Sequence, residues 1–314
     1  MKKALIKFIK VLAFILAIIV VWYIGSTVFY KLTYQGTNIN ENQEQIDDGS
    51  FGEDNKIKPA VKNELLFLLA GTDQNDGSSA GNTRTDTLML FKVNFKDGTI
   101  DQMSIPRDTR VPVNGSLDKI NHASAYGGIR LTMQTIRDWL DIDLDYYVKI
   151  NFESVVSLVD AIGGVRIEVP KVIANGTSLS PGMQRLNGKQ ALEFVRFRKG
   201  YATGDYGRVE AQQVFISALV NELFQARNML QFPTYINIFD NEVDTNISKS
   251  FLLSKALNAR NFGADKMTKH IVPGEGAYIN GISYFVYYKD DMIQLRNELY
   301  NEYRLNAVNY LENQ

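Results

Sequence analysis

The sequence predicts an α/β fold: a single three-layer αβα domain with a mixed central sheet, preceded by one N-terminal transmembrane helix. Three observations lead there. Val11–Tyr30 is a charge-free apolar run of about twenty residues, long enough as a helix to cross the ~30 Å hydrocarbon core of a bilayer. From Glu64 onward, short apolar runs alternate with amphipathic helical patterns, as in layered α/β proteins. No second linker interrupts that block. The 314-residue chain therefore divides into a cytoplasmic stub at 1–10, an anchor at 11–30, a flexible tether at 31–61 and one domain at 62–314.

Lys2, Lys3, Lys7 and Lys10 precede the apolar run and only Lys31 follows it closely, so the positive-inside rule places everything after Tyr30 outside the cell. Trp22, Tyr23 and Tyr30 suit the outer interface. A cleaved signal peptide is the competing reading; the run is long for one, and no A-x-A-like site follows. Gln35–Val61, rich in Asn, Gln, Asp, Glu, Gly and Lys, lacks apolar periodicity and reads as the tether.

In the domain, Glu64–Ala70 is a short apolar run ended by Gly71, as for a strand buried on both faces. Leu88–Asn94 and Thr99–Ile105 flank the turn signal Lys96-Asp97-Gly98 and predict a hairpin. A helix is expected over Ile129–Leu140 and a strand over Tyr146–Ile150. Phe152, Val155, Val156, Val159 and Ile162 fall on one helical face that Gly163-Gly164 stops. Val165–Val169 is the next strand. Helices are expected over Asn187–Glu193, Asp205–Leu230, Ser248–Asn261 and Asp290–Leu311, with strands over Lys266–Val272 and Ser283–Tyr288.

Composition narrows the chemistry. Cysteine is absent and there are two histidines, which excludes disulfides, thiolate nucleophiles, Cys-based zinc sites and three-His metal sites. The net charge of −1 lacks the basic excess of a general nucleic-acid-binding surface. The chain carries no P-loop and no Rossmann fingerprint in the right context. Carboxylates, arginines, hydroxyls, amides and a hard cation remain. Tyr (16) and Phe (17) supply mainly core, and some could line a lipid channel.

Asp73 follows the first strand, and Asn82–Thr87, if extended, points Arg84 and Asp86 to one side and Thr85 to the other. Two carboxylates beyond strand ends suit a shared Mg²⁺, or else serve as turn and capping residues. Pro106 ends a strand and exposes Arg107 at the sheet edge. If Phe194–Arg198 is extended, Phe194, Arg196 and Arg198 share one face while Val195 and Phe197 enter the core. Asp205 is expected as the N-cap of a helix on which Arg208 and Gln212 stand at i, i+4, near an end that favours anions. Four arginines around such an end suit a ligand with several phosphate oxygens. His122, after Lys119-Ile120-Asn121, is within reach of the site, although a lone histidine is commonly a satisfied structural residue.

These motifs together resemble the LytR–CpsA–Psr family, the cell-wall glycopolymer ligases of mainly Gram-positive bacteria. The similarity runs from about Leu65 to Ala218, through GTD at Gly71–Asp73, RTDT at Arg84–Thr87, SIPRDT at Ser104–Thr109 and KINHASAYGG at Lys119–Gly128. It continues through LVDAIGGV at Leu158–Val165, VRFR at Val195–Arg198 and D-x-x-R-x-x-x-Q at Asp205–Gln212. The resemblance implies a phosphotransferase that moves a glycosyl phosphate from a polyprenyl-pyrophosphate lipid to peptidoglycan, at the C6 hydroxyl of N-acetylmuramic acid. It further implies that Asp73 and Asp86 hold Mg²⁺, with Mn²⁺ as a substitute. Arg107, Arg196, Arg198 and Arg208 would grip the pyrophosphate with Gln212 assisting, while Arg84 and Asp205 line the site. Asp73, Asp86 and Arg107 are then the catalytic candidates, with either aspartate as proton acceptor. The implied partners are lipid-linked glycan, peptidoglycan and membrane lipid, with no nucleic acid and a monomeric catalytic domain.

A protein that binds or hydrolyses lipid-linked glycan without ligating it is the alternative, separated by transfer of labelled glycan to an acceptor. A transcriptional regulator is disfavoured because only residues 1–10 would face DNA. The topology has its own test: a reporter fused after Gln314 should be active only if it functions when exported. Release of a processed form lacking Met1–Tyr30 as the main species would defeat the anchor.

Overall fold

A computed structural model describes residues 63–72, 84–198, 200–201, 205–225, 235, 243–255, 261–306 and 310–312. Among these no helix is long and apolar enough to cross a membrane. The expected anchor at 11–30, the tether at 31–61 and Asp73 lie outside the described residues.

The fold is a mixed α/β structure around a six-stranded sheet. In chain order the strands are β1 (Glu64–Thr72), β2 (Thr85–Asn94), β3 (Ile100–Ile105), β4 (Arg110–Val113), β5 (Ser116–Lys119), β6 (Tyr146–Ile150), β7 (Val165–Val169), β8 (Gly182–Leu186), β9 (Asp244–Thr245), β10 (Met267–Ile271), β11 (Gly274–Ile279) and β12 (Ile282–Tyr287). The helices are α1 (His122–Leu140), α2 (Phe152–Ala161), α3 (Lys171–Ala174), α4 (Gly188–Arg196), α5 (Asp205–Leu223), α6 (Lys249–Lys255) and α7 (Lys289–Tyr300). The central sheet has the order β10-β3-β2-β1-β6-β9. Pairs β1–β6 and β3–β10 are parallel, whereas β1–β2, β2–β3 and β6–β9 are antiparallel.

Strand alternation sends Leu66, Leu68 and Ala70 to one face, where Ile136, Trp139 and Leu140 of α1 and Met292 and Leu299 of α7 cover them. Leu65 and Leu69 face the other way, with Met89, Phe91 and Val148, toward Ile216 and Val220 of α5 and Phe251 of α6. A satellite core joins α2, the β7–β8 hairpin, α4 and α5 around Ile167, Leu186 and Phe194. Two polar anchors fix α5. Gln213 Nε2 donates to Ser104 Oγ and the His270 carbonyl, each at 2.9 Å. Arg185 forks onto the buried Glu222 carboxylate at 3.1 and 3.2 Å.

The predicted strands at Tyr146–Ile150 and Val165–Val169 are found as expected, and the β2–β3 hairpin forms with Asn94 Oδ1 accepting from the Lys96 and Asp97 amides. Three expectations need correction. Residues 194–196 are helical, because the Asn187–Gln190 capping box starts α4 and buried Ala191 and Phe194 hold its last turns against the satellite core. The helix expected over Asp290–Leu311 ends at Tyr300, whose fully buried ring ties down the turn before Arg304 bridges to Ile142. Helix α1 begins at His122, earlier than expected, and is broken at Gly127-Gly128. Gly128 has φ 65° and ψ −156°, a conformation reserved for glycine, so His122–Tyr126 stands as a separate turn.

Burial pushes the Tyr147, Tyr201 and Tyr287 hydroxyls up to about 12, with Asp244 also contributing at Tyr147. In the unfolded chain they ionise near ~10. Their neutral burial therefore supports the fold fully below pH ~10 and is lost as pH rises toward the folded values. The denaturant midpoint should fall between about pH 10 and about pH 12; a flat midpoint across that window would contradict it.

Candidate anion-binding cleft

The register of β1 against β2 is broken at Gly71/Thr72: Gly71 pairs with Thr87 and Thr72 with Thr85, which makes Asp86 the extra residue of a β-bulge. Gly71 allows a close approach there, since a Cβ would lie 3.0 Å from that of Thr87. The bulge frees the Asp86 carbonyl, which accepts from Arg208 Nη1 at 3.1 Å. It also presents the carboxylate to two guanidiniums: Arg107 Nη1 lies 2.5 Å from Oδ1 and Arg198 Nη2 2.5 Å from Oδ2.

Each arginine arrives from a different element. Arg107 follows Pro106 at the end of β3, in a turn closed by the Thr109 amide and hydroxyl on the Pro106 carbonyl. Arg196 is the last residue of α4, and its guanidinium lies over the Phe152 ring, 4.5 Å from the centroid. Arg198 follows the extended Phe197, which caps the helix. Arg208 is 2% exposed on α5, and Gln212 is buried one turn further on.

Asp86, Arg196, Arg198, Arg208 and Gln212 line one cleft, about 650 Å³ including its open mouth. Among the described residues lining it, Asp86 is the only acidic one. Three guanidiniums against one carboxylate leave an excess of positive charge, which favours an anion with several oxygens. The rest of the lining is apolar: Leu69, Met89, Ile150, Val155, Phe215 and Ile216. The cleft is thus cationic at one end and greasy at the other.

The sequence-predicted residues fare unevenly. Asp86 is bonded to Arg107, Arg198 and Arg208, and Arg208 and Gln212 line the same cleft. Arg196 and Arg198 both reach the cleft, but across a helix end rather than along one strand face, and Phe194 turns into the core at 1% exposure instead of joining them. Arg84 is exposed before β2 and outside the cleft lining. Helix α5 spans Asp205–Leu223, so Asp205 stands at its start. Sequence reasoning placed Phe152 only on a helix face and missed it as the platform for Arg196; nothing local signals a contact between residues so far apart. Thr72, Thr87 and Asn151 of the lining were also missed, although two of them belong to the quoted motifs.

Fold and site define an α/β protein with an arginine-lined cleft that opens beside an apolar wall. Residues 26–301 match the LytR_cpsA_psr family, and the chain belongs to that family. It is 33% identical over 306 residues to a polyisoprenyl-teichoic acid–peptidoglycan teichoic acid transferase TagU of Halalkalibacterium halodurans, covering 95% of this chain and 98% of that protein. The Bacillus subtilis protein of the same name is 33% identical over 83% of this chain and 85% of its own length. Among solved structures, Bacillus subtilis TagV superposes with TM-score 0.66 at 26% identity, covering 77% of this chain and 98% of that one. A structure described as TagT bound to LI-WTA superposes with TM-score 0.64 at 27% identity, covering 78% and 92%.

Asp86 competes with any incoming phosphate for Arg107 and Arg198. Asp86→Asn should therefore tighten binding of inorganic pyrophosphate about tenfold in the absence of divalent cations. Isothermal titration checks this, and an unchanged or weaker affinity would show that the carboxylate does not hold the arginines in reserve.

Proposed function

We propose that the chain is a cell-envelope phosphotransferase that moves a glycosyl phosphate from a polyprenyl-pyrophosphate-linked glycopolymer to peptidoglycan, at the C6 hydroxyl of N-acetylmuramic acid, releasing polyprenyl phosphate. The observation that carries it is the two-ended cleft, whose arginine cluster and adjoining apolar wall match the pyrophosphate and the lipid of one amphiphilic substrate. The teichoic acid transferase names of the relatives support the same reading and favour a teichoic-acid-type polymer.

Phosphoryl transfer is mainly positioning and charge stabilisation. Arg198 and Arg107 would turn from the Asp86 carboxylate onto the non-bridging oxygens, and Arg208, held by the Asp86 carbonyl, would face the bridge. Arg196, fixed over Phe152, would fork onto the remaining phosphate oxygens. Leu69, Phe215 and Ile216 would hold the first prenyl units and exclude water.

Mg²⁺, or Mn²⁺ in its place, fits the donors: Asp86 offers hard carboxylate oxygens, with Asp73 as the second ligand, and such a cation needs only one or two protein carboxylates. When bound it would neutralise charge developing on the phosphate oxygens. In the pyrophosphate titration, added Mg²⁺ should raise affinity in the wild type and not in Asp86→Asn. The same reading places a monomeric catalytic domain outside the cell, tethered by a single membrane span at 11–30.

Transfer of labelled glycan to peptidoglycan tests the function, with thermal melts as the folding control. Arg107→Ala, Arg196→Ala, Arg198→Ala and Arg208→Ala should each lose roughly 10–150-fold, as expected for charged hydrogen bonds worth ~1.5–3 kcal/mol. Lysine should not restore full rate, since it lacks the two-pronged geometry. Near-wild-type transfer in three of the four would defeat the clamp, and lipid binding without transfer would reduce the protein to a carrier.

A further inference from the structure

The mechanism leaves one task unassigned, removal of the proton from the acceptor hydroxyl. Asp86 is badly placed for it: its carboxylate oxygens face guanidiniums at 2.5 Å, and once those arginines turn to the phosphate it would hold the cation instead. A second cluster stands beside Arg107. Asn121 donates its amide to the Arg107 carbonyl at 3.1 Å, and the next residue, His122, opens the isolated turn ahead of Gly127-Gly128. His122 Nδ1 lies 2.9 Å from both oxygens of Asp118, on the neighbouring strand β5. Tyr126 donates its hydroxyl to Asp118 Oδ2 at 2.9 Å, and its ring meets His122 edge-on at 5.9 Å.

The hydrogen bonding fixes the tautomer. Burial raises the Asp118 carboxyl, but hydrogen bonds from His122, the Lys119 amide and Tyr126 outweigh it and hold the group below its ordinary range. An ionised carboxylate only accepts, so the His122 proton must sit on Nδ1, which leaves the lone pair on Nε2. A carboxylate behind an imidazole in this way orients it and stabilises the imidazolium that forms when Nε2 takes a proton. The other charged or titratable groups facing the cluster are Arg84 and Tyr284, while the Lys119 ammonium pairs with Asp108. None of Asp118, His122 or Tyr126 lines the apolar cleft. The Asn121–Arg107 backbone bond ties them to the segment that carries Arg107, and Tyr126 is 59% exposed.

We propose that His122, oriented by Asp118, is the general base that accepts the proton of the acceptor hydroxyl, with Tyr126 as a platform for the acceptor sugar. The proposal rests on the phosphotransferase reading. In the step, the acceptor oxygen forms a bond to the glycan-linked phosphorus as its proton passes to Nε2. The bond from that phosphorus to the bridging oxygen breaks, and its electron pair leaves on the polyprenyl phosphate. The imidazolium then releases its proton to solvent.

The test uses the full-length protein with a polyprenyl-pyrophosphate-linked glycan and peptidoglycan. His122→Gln should lower kcat by roughly 10²–10⁴-fold while binding of the lipid-linked glycan stays within about twofold, the expectation for a residue outside the pyrophosphate clamp. The acid limb of the kcat–pH profile, where protonated imidazole cannot act, should vanish with it. Asp118→Asn should keep a limb displaced to lower pH, a change that a merely structural role would not produce. Transfer by His122→Gln close to the wild-type rate, or with an unchanged acid limb, overturns the assignment. If His122→Gln misfolds and loses lipid binding, an unmoved limb in Asp118→Asn overturns it instead. A wild type that binds the lipid and transfers nothing overturns the phosphotransferase reading, and this inference with it, whereas failure of the variants alone leaves that reading standing.

Discussion

Asp86 is the constraint around which the site is assembled. The bulge in β2 lifts this one residue out of the ladder, so that both its carbonyl and its carboxylate face arginines rather than a neighbouring strand. Arg107, Arg198 and Arg208 come from the end of β3, the segment after α4 and the first turns of α5, and guanidiniums brought this close repel unless an anion lies among them. The aspartate supplies that anion within the protein. It holds the cluster in a geometry that a phosphate can take over with little rearrangement, the preorganisation that electrostatic catalysis requires.

Helix α5 converts that charge cluster into a site for an amphiphile. Arg208, Gln212, Phe215 and Ile216 fall close to i, i+4, i+7 and i+8, so they share a stripe facing the cleft. The stripe changes from cationic to apolar within about two turns. A single helix thereby aligns the polar and greasy halves of the ligand, and its anchoring matters accordingly. Buried Gln213 pins it to β3 and β10, and Glu222 pins it to the β7–β8 hairpin through Arg185. The satellite core carries α4, and with it Arg196 and Arg198, against the same helix.

The turn His122–Tyr126 illustrates a different device. Gly127-Gly128 uncouples it from the rest of α1, which packs under the sheet through Ile136, Trp139 and Leu140. The core-facing half of the helix obeys burial, and the short half is left to obey the Asp118 hydrogen bonds.

Much of the scaffold was legible in the sequence because burial leaves a local trace. Alternating or continuous apolar runs marked β1, β6 and β7, and the 3.6-residue period marked α2 and placed Arg208 and Gln212 on one face. Two hairpins were overlooked despite Asn114-Gly115 and Asn280-Gly281, both with positive φ, which the primed turns of two-residue hairpins favour. The stretch 194–196 was misread because alternation over five residues also fits a helix end, and only the packing of Phe194 distinguishes them. By itself, then, the sequence determined the layers, the chemistry available and the candidate arginines. Tertiary structure alone decided that Asp86 is bulged, that Arg196 rests on Phe152, and that guanidiniums from three separate elements meet one aspartate, two at its carboxylate and one at its carbonyl. Those contacts join residues far apart in the chain, and local periodicity reports which face is buried but not what it is buried against.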